Sequence, residues 1–168
     1  AVDVAVDVSV GVAVGVAVGG PGGTGKTTFA QRLAERLEDA AVLKLDNYKT
    51  SRADRRKTNL FGPHPDANRM ELIAEHLATL RDGRPVAAPV YDRVTGEINS
   101  TKVLNPARWI VVDGEISTYA RFRDLIDFAI FIDSDWRTQL ATRLGRDLEA
   151  RGYSPDKAVA TFLHSNLR

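Results

Sequence analysis

Valine stands at every even position from Val2 to Val18, alternating with Ala, Asp, Ser or Gly. A strict period of two reads as extended chain. Residues 13–19 carry no charge and run into a glycine-rich stretch, which predicts a buried first strand. Residues 1–11 form either an extension of that strand or a low-complexity tail, set apart from a domain over 12–168. Asp3 and Asp7 spoil a membrane span, and the stretch lacks the basic start, continuous apolar segment and cleavage site of a signal peptide. Past Gly25 the period changes: Phe29, Ala30, Leu33, Ala34 and Leu37 recur at helical spacing. The apolar run 41–45 predicts a second strand that delivers Asp46 at its carboxyl end.

Residues 49–65 are polar and read as a long loop, a length that favours a functional segment. In 67–81, Met70, Ile73, Leu77 and Leu80 make one apolar face of a helix, with Gly83 as its terminator. Stretches 85–91 and 97–103 bracket Thr95-Gly96 and predict a hairpin with Tyr91 and Asp92 near its tip. The unbroken apolar run 109–112 predicts a central parallel strand ending in Asp113-Gly114. A short helix over 121–125 and a buried strand over 128–132 follow, with Asp133 or Ser134 capping the next helix. That helix, 135–151, carries Leu140, Leu144 and Leu148 on one face and Arg143, Arg146 and Asp147 on another. A last helix starts near Pro155, which suits its first position after Ser154. Strands alternating with helices give an α/β sandwich around a parallel sheet.

Composition adds limits. The 168 residues fit one domain, with 27% charged and 43% apolar residues. A net charge of +1 does not mark a nucleic-acid binder. The absence of cysteine excludes disulfides, thiolate catalysis and a zinc–thiolate site, and fits a reducing cytoplasm. His64, His76 and His164 lie too far apart in sequence to imply a metal cage.

The chemistry starts at Gly20-Pro21-Gly22-Gly23-Thr24-Gly25-Lys26-Thr27-Thr28, which fits G-x-x-x-x-G-K-[ST]. Its glycines let consecutive N–H groups turn toward phosphate oxygens, and a helix starting at Lys26 adds the positive end of its dipole. Gly20, Gly22, Gly23, Thr24, Gly25, Lys26, Thr27 and Thr28 are therefore the expected nucleotide-binding residues. Lys26 reaches the β- and γ-phosphates, and the Thr27 hydroxyl can ligate Mg²⁺. Asp113, an acid at the end of a central strand, stands where a carboxylate holds Mg²⁺ through water. A GTPase switch is disfavoured because no Asn/Thr-Lys-x-Asp segment occurs.

From residue 14 onward the chain resembles the uridine kinase / phosphoribulokinase family of P-loop small-molecule kinases. The likeness rests on the glycine loop together with Leu45-Asp46-Asn47-Tyr48-Lys49, His64-Pro65-Asp66-Ala67, Pro89-Val90-Tyr91-Asp92, Asp113-Gly114, and Arg143-Leu144-Gly145-Arg146-Asp147 before Arg151-Gly152. It implies a P-loop three-layer sandwich with a mostly parallel sheet, a small acceptor-side hairpin and an arginine-bearing lid helix. It implies ATP and Mg²⁺ as cofactors and a nucleoside or sugar-like small-molecule acceptor, with no nucleic-acid or membrane partner. Asp46 would be the general base, Asp66 and Tyr91 would hold the acceptor, and Arg143 and Arg146 would close over the phosphates. Arg168 joins Asp66 and Tyr91 as a substrate-binding candidate. Three departures bear on the acceptor. Gly96 stands where uridine kinases place a base-reading histidine. Asp46-Asn47-Tyr48-Lys49 is one aromatic short of the usual Asp-x-[FY]-Tyr. Arg52, Arg55, Arg56 and Lys57 form a basic cluster compatible with an acceptor that carries phosphate or carboxylate, as in phosphoribulokinase-like members. The family also has further residues after the position of Arg168. A pantothenate kinase-like acceptor and a nucleotide-binding module without transfer activity stand as alternatives.

Overall fold

The computed structural model describes residues 12–60, 62–149 and 152–166. The valine-alternating residues 1–11, Arg151 and Arg168 lie outside that range. Strand β1 (Val14–Gly19) runs through the glycine loop into helix α1 (Lys26–Arg36), followed by β2 (Ala40–Lys44). Helices α2 (Arg52–Lys57) and α3 (Met70–Arg81) precede the hairpin β3 (Val86–Tyr91) and β4 (Ile98–Leu104). Strands β5 (Trp109–Asp113) and β6 (Phe128–Phe131) and helices α4 (Trp136–Glu149) and α5 (Pro155–Asn166) complete the order.

The main sheet runs β2-β5-β1-β6, all parallel, and the hairpin forms a separate two-stranded sheet. Side chains alternate across a strand, so β5 feeds two cores. Ile110 and Val112 join Leu43, Ile73, Leu77, Leu80 and Phe122 on the α3 side, whereas Val111 joins Val18 and Ala30 on the α1 side. Each fully buried Leu or Ile contributes about 1.5–3 kcal/mol of burial free energy. Register matters most for function. Val18 and Lys44 both pair with Asp113. The loops that follow β1, β2 and β5 therefore leave the sheet at one level, and in open α/β sheets that carboxyl end is where ligands bind.

Several local expectations change. The stretch expected to be a loop, 49–65, contains α2, because the Ser51 hydroxyl caps it by accepting the Asp54 N–H at 3.0 Å. Six residues are too few for a periodic apolar signal, and none of them is buried. Helix α3 begins at Met70 rather than at 67, because His64 caps a separate 3-10 turn over Pro65–Ala67. Strand β6 is not buried. It lies at the outer edge of the sheet with one neighbour, and Phe128 and Phe131 are 47% and 63% exposed. The cap of α4 is Asp135, whose carboxylate accepts the N–H groups of Arg137 and Thr138. Asp133 instead accepts from the Ser134 N–H and the Gln139 side chain.

In helix α4 the polar face is the one that turns inward. Its buried residues are Gln139, Arg143 and Asp147, while Leu148 is exposed. The face turned inward looks onto the glycine loop and onto α5, where the Arg143 guanidinium lies 5.7 Å from the Phe162 ring centre. A Cβ on Gly23 would come within 2.6 Å of the Gln139 carbonyl oxygen, so only glycine lets the loop lie this close beneath the helix.

Candidate active site

Lys26 opens α1 directly behind the glycine turn. Its ammonium donates to the Pro21 carbonyl at 3.1 Å and lies 3.9 Å from the Glu115 carboxylate. Thr24 donates to the same carbonyl at 3.0 Å, which closes the loop on itself. Thr28, in the first turn of α1, is exposed. One residue before it, the Thr27 hydroxyl donates to Asp113 at 3.3 Å. Burial pushes the Asp113 carboxyl above the usual carboxylate range, and Asp46 nearby adds to this; the Thr27 hydrogen bond and the Lys26 and Lys44 ammoniums offset only part of it.

Asp46 sits in the 3-10 turn Leu45–Tyr48 that ends β2. Tyr48 anchors that turn: it is fully buried, and its hydroxyl is 2.8 Å from Nδ1 of His76 on α3. The Asp46 carboxylate lies 3.6 Å from Lys49 and 3.4 Å from Arg93 on the hairpin turn. Partial desolvation pushes its pKa up, but Lys49, Arg93 and Lys26 outweigh this and hold it below the usual range.

Two cavities meet at this carboxylate. One, about 200 Å³, is lined by Gly22, Lys26, Thr27, Asp46, Lys49, Asp113, Glu115, Arg143 and Arg146 among others. The second, about 750 Å³, shares Asp46, Lys49 and Arg146 and adds Arg52, Arg55, Arg56, Arg93, Lys157 and Tyr91. Its wall thus holds seven cationic side chains against the single Asp46 carboxylate. Tyr91 is an organiser here. Its hydroxyl accepts a 2.7 Å bond from Arg55, whose guanidinium also stands 5.4 Å from the ring centre.

Arg52, at the start of α2, ties the cavity wall to the hairpin turn. Its guanidinium donates to the Val94 and Arg93 carbonyls, and its backbone N–H donates to Gly96. Gly96 has a φ of +83°, and a Cβ there would stand 2.6 Å from that of Arg52. The space a side chain at 96 would need is occupied by Arg52, which gives a steric reason for Gly96.

The structure brings together Lys26, Thr27, Asp46, Asp113, Arg143 and Arg146. It does not bring Asp66 to them. Asp66 is exposed and lines a different depression with Asn68, Tyr119 and Arg121. Asp147 has Arg146 at 3.4 Å; Arg151, one of its two expected partners, lies outside the described residues. Glu115 was not among the expected site residues. An acid two places after a strand-end acid was the available signal. No group of three or more His, Cys, Asp or Glu converges among the described residues. No helix among them is long and apolar enough to cross a membrane.

Strand, glycine loop and helix, with acids at the ends of two neighbouring parallel strands, define a P-loop nucleotide-binding α/β protein. Comparison with known proteins narrows this. The model of the Phosphoribulokinase / Uridine kinase family matches residues 15–166. Uridine kinase of Chlamydia pneumoniae is 33% identical over 148 residues, covering 84% of this chain and 67% of that protein. Phosphoribulokinase of Synechocystis sp. is 30% identical over 144 residues, covering 83% of this chain and 43% of that protein, so the chain spans less than half of that enzyme's length. Among solved structures, a putative fructose transport system kinase from Silicibacter sp. TM1040 superposes with a TM-score of 0.76 at 22% identity, over 94% of this chain and 82% of that one, which establishes the fold. The chain belongs to the phosphoribulokinase / uridine kinase family. It is a small-molecule kinase.

Proposed function

We propose that the chain transfers the γ-phosphate of ATP to a hydroxyl of a small sugar-like metabolite that already bears a phosphate or carboxylate. The observation that carries this reading is the shared wall of the two cavities. Asp46, Lys49 and Arg146 belong to both, so the phosphate cleft and the basic cavity open onto one carboxylate.

The glycine loop and Lys26 hold the triphosphate. Thr27 and Asp113 suit Mg²⁺, since they offer two hard oxygen donors 3.3 Å apart and leave the remaining ligands to phosphate and water. When bound there, Mg²⁺ neutralises charge on the phosphate oxygens. Asp46 accepts the proton of the acceptor hydroxyl as that oxygen bonds to the γ-phosphorus. The bond from phosphorus to the bridging oxygen breaks, and ADP leaves with its electron pair. Arg143 and Arg146 balance the charge on the equatorial oxygens. Little covalent chemistry is asked of the protein, and alignment supplies most of the rate.

The cations of the larger cavity suit an anionic acceptor. Lys49 and Arg93 hold Asp46 below its usual pKa in the free chain. An acceptor anion that draws them away raises the basicity of Asp46 as the hydroxyl arrives, which couples binding to base strength. A neutral nucleoside leaves most of these charges unanswered, and Arg52 fills the place where a base-reading side chain at 96 would stand. Tyr91 offers its ring to the acceptor while orienting Arg55. Asp66, in its separate depression, has no part in this scheme.

The test is ADP release from ATP with a panel of sugar phosphates, hydroxy acids and free nucleosides. Turnover with one or more anionic acceptors, well above that with nucleosides, is the expected result. Preference for a neutral nucleoside would overturn the acceptor class, and no stimulated release by any compound would favour a nucleotide-binding module.

A further inference from the structure

Glu115 is the one acid in the phosphate cleft that the scheme above leaves without a task. Asp113 pairs with Thr27, and Asp46 faces the acceptor cavity. The Glu115 carboxylate instead reaches into the mouth of the glycine loop. One oxygen lies 3.9 Å from the Lys26 ammonium and 3.1 Å from where a Cβ of Gly22 would stand. Its other oxygen is 3.5 Å from the corresponding point at Gly62. The guanidinium of Arg143 comes equally close to Gly22, at 3.1 Å from the same Cβ position. An anion is thus held among the loop backbone and the cations that a terminal phosphate needs.

We propose that Glu115 is a built-in competitor for the γ-phosphate position and so sets how the chain weighs ATP against ADP. The inference rests on the kinase reading above only in placing ATP at this loop. Lys26 cannot serve a carboxylate and a γ-phosphate from the same side at full strength. ATP must therefore displace Glu115, with like-charge repulsion added until the side chain has moved. ADP reaches Lys26 only through its β-phosphate and leaves the γ-phosphate position to Glu115, so it meets much less of this competition. Glu115 penalises the triphosphate selectively and makes ADP a strong competitor, so turnover responds to the ATP/ADP ratio rather than to ATP alone. The carboxylate is 28% exposed and the Lys26 side chain 12%, so the pair is less screened than a surface one.

The experiment is calorimetric binding of ATP, ADP and inorganic tripolyphosphate to the full chain at fixed Mg²⁺, without acceptor. Wild type is compared with Glu115→Gln and Glu115→Asp, after thermal melts confirm that each is folded. Glu115→Gln should bind ATP and tripolyphosphate roughly tenfold more tightly, as expected for removing one partly screened charge at this range, with ADP changed less than about twofold. Glu115→Asp, whose shorter side chain withdraws the charge from Lys26, should fall between. Weaker ATP binding in Glu115→Gln would overturn the proposal and assign the carboxylate a supporting role with the metal or the loop. Equal shifts for ATP and ADP, or no shift for either, would overturn it as well. These constants are read without turnover, so the outcome stands apart from whether the acceptor class is correct.

Discussion

The two ends of the main sheet use the same residue types to opposite purposes. At the amino end, Asp127 accepts the Gly15 N–H at 2.7 Å and pairs with Arg81, which also donates to the Leu125 carbonyl at 3.0 Å. At the same end but on the opposite edge of the sheet, Asp39 accepts the Arg108 N–H at 2.9 Å. Short bonds to backbone consume these acids, even though Asp127 borders a depression that it shares with Arg123. At the carboxyl end the contacts are longer: Thr27 to Asp113 at 3.3 Å, Arg93 to Asp46 at 3.4 Å, Lys49 to Asp46 at 3.6 Å and Lys26 to Glu115 at 3.9 Å. Here each ion faces open space and can exchange its partner for a ligand. Charge kept half-satisfied beside a cavity is available for chemistry; charge fully bonded to backbone is architecture.

The sharpest break between the ends is Asp46→Asn. The amide is nearly isosteric and cannot take a proton, so turnover should drop by about 10²–10⁴-fold. ATP affinity, measured by calorimetry, should stay close to wild type because the glycine loop is untouched. Full turnover in this variant would remove Asp46 from the role of base. The matching change at the amino end is Asp127→Asn, which should act on stability instead. Losing the charge on an acceptor of a backbone N–H and an Arg costs about 1 kcal/mol once solvent screening of this partly exposed group is counted, read from urea midpoints, with turnover of the folded enzyme unchanged. The pH dependence of stability follows from the same contacts. Partial desolvation raises the Asp127 pKa, but Arg81 and the Gly15 N–H outweigh it and hold the folded value low. Its stabilisation is present above the unfolded carboxylate pKa and is lost as pH falls through the folded one. Wild type and Asp127→Asn should therefore converge in acid and separate toward neutrality.

This contrast was only half legible in the chain. The glycine loop, Asp46 and Asp113 could be read because each belongs to a local pattern: a spacing, or an acid closing an apolar run. The same rule gave Ile73, Leu77 and Leu80 their place under the sheet. Glu115 escaped, and Arg52 is legible only as one of a basic cluster, because their contacts are with groups far off in sequence, Lys26 for one and the Val94 and Arg93 carbonyls for the other. Helix α4 is legible in its two faces but not in which of them is buried. Period 3.6 finds the apolar stripe but not what lies opposite, and here the buried face meets phosphate-loop backbone and α5. Asp66 sits in a family signature, yet the 3-10 turn over Pro65–Ala67 carries it to another depression. Gly96 was noticed as a missing histidine; only the fold shows Arg52 in its space.

That last pair offers a smaller test, on the acceptor side alone. Gly96→Ala places a Cβ against Arg52 at a φ of +83°, which costs about 1 kcal/mol of backbone strain on top of the displaced guanidinium. Acceptor KM should rise several-fold while ATP affinity holds, as steady-state titration of each substrate would read. An equal rise in both would mean that the hairpin supports the whole cleft rather than the acceptor cavity.

The finest distinction is in the acid limb of the pH profile. In kcat/KM this limb reports the free enzyme's base. Lys49 and Arg93 hold Asp46 below its usual range, with Lys49 the larger influence of the two. Asp46 therefore stays ionised well into acid, and the limb should lie below that of an ordinary carboxylate. Removing a cation favours the protonated form, so Arg93→Ala should move the limb to higher pH and Lys49→Ala should move it further. Both variants also weaken the acceptor's hold, so the limb's position along the pH axis is the readout, not its height. Arg81→Ala, at the other end of the sheet, should leave the limb where it is and lower the melting temperature instead. A limb that ignores Lys49 and Arg93 would mean that another group sets the acid side. A limb that follows Arg81 would mean that the two ends are coupled through the sheet.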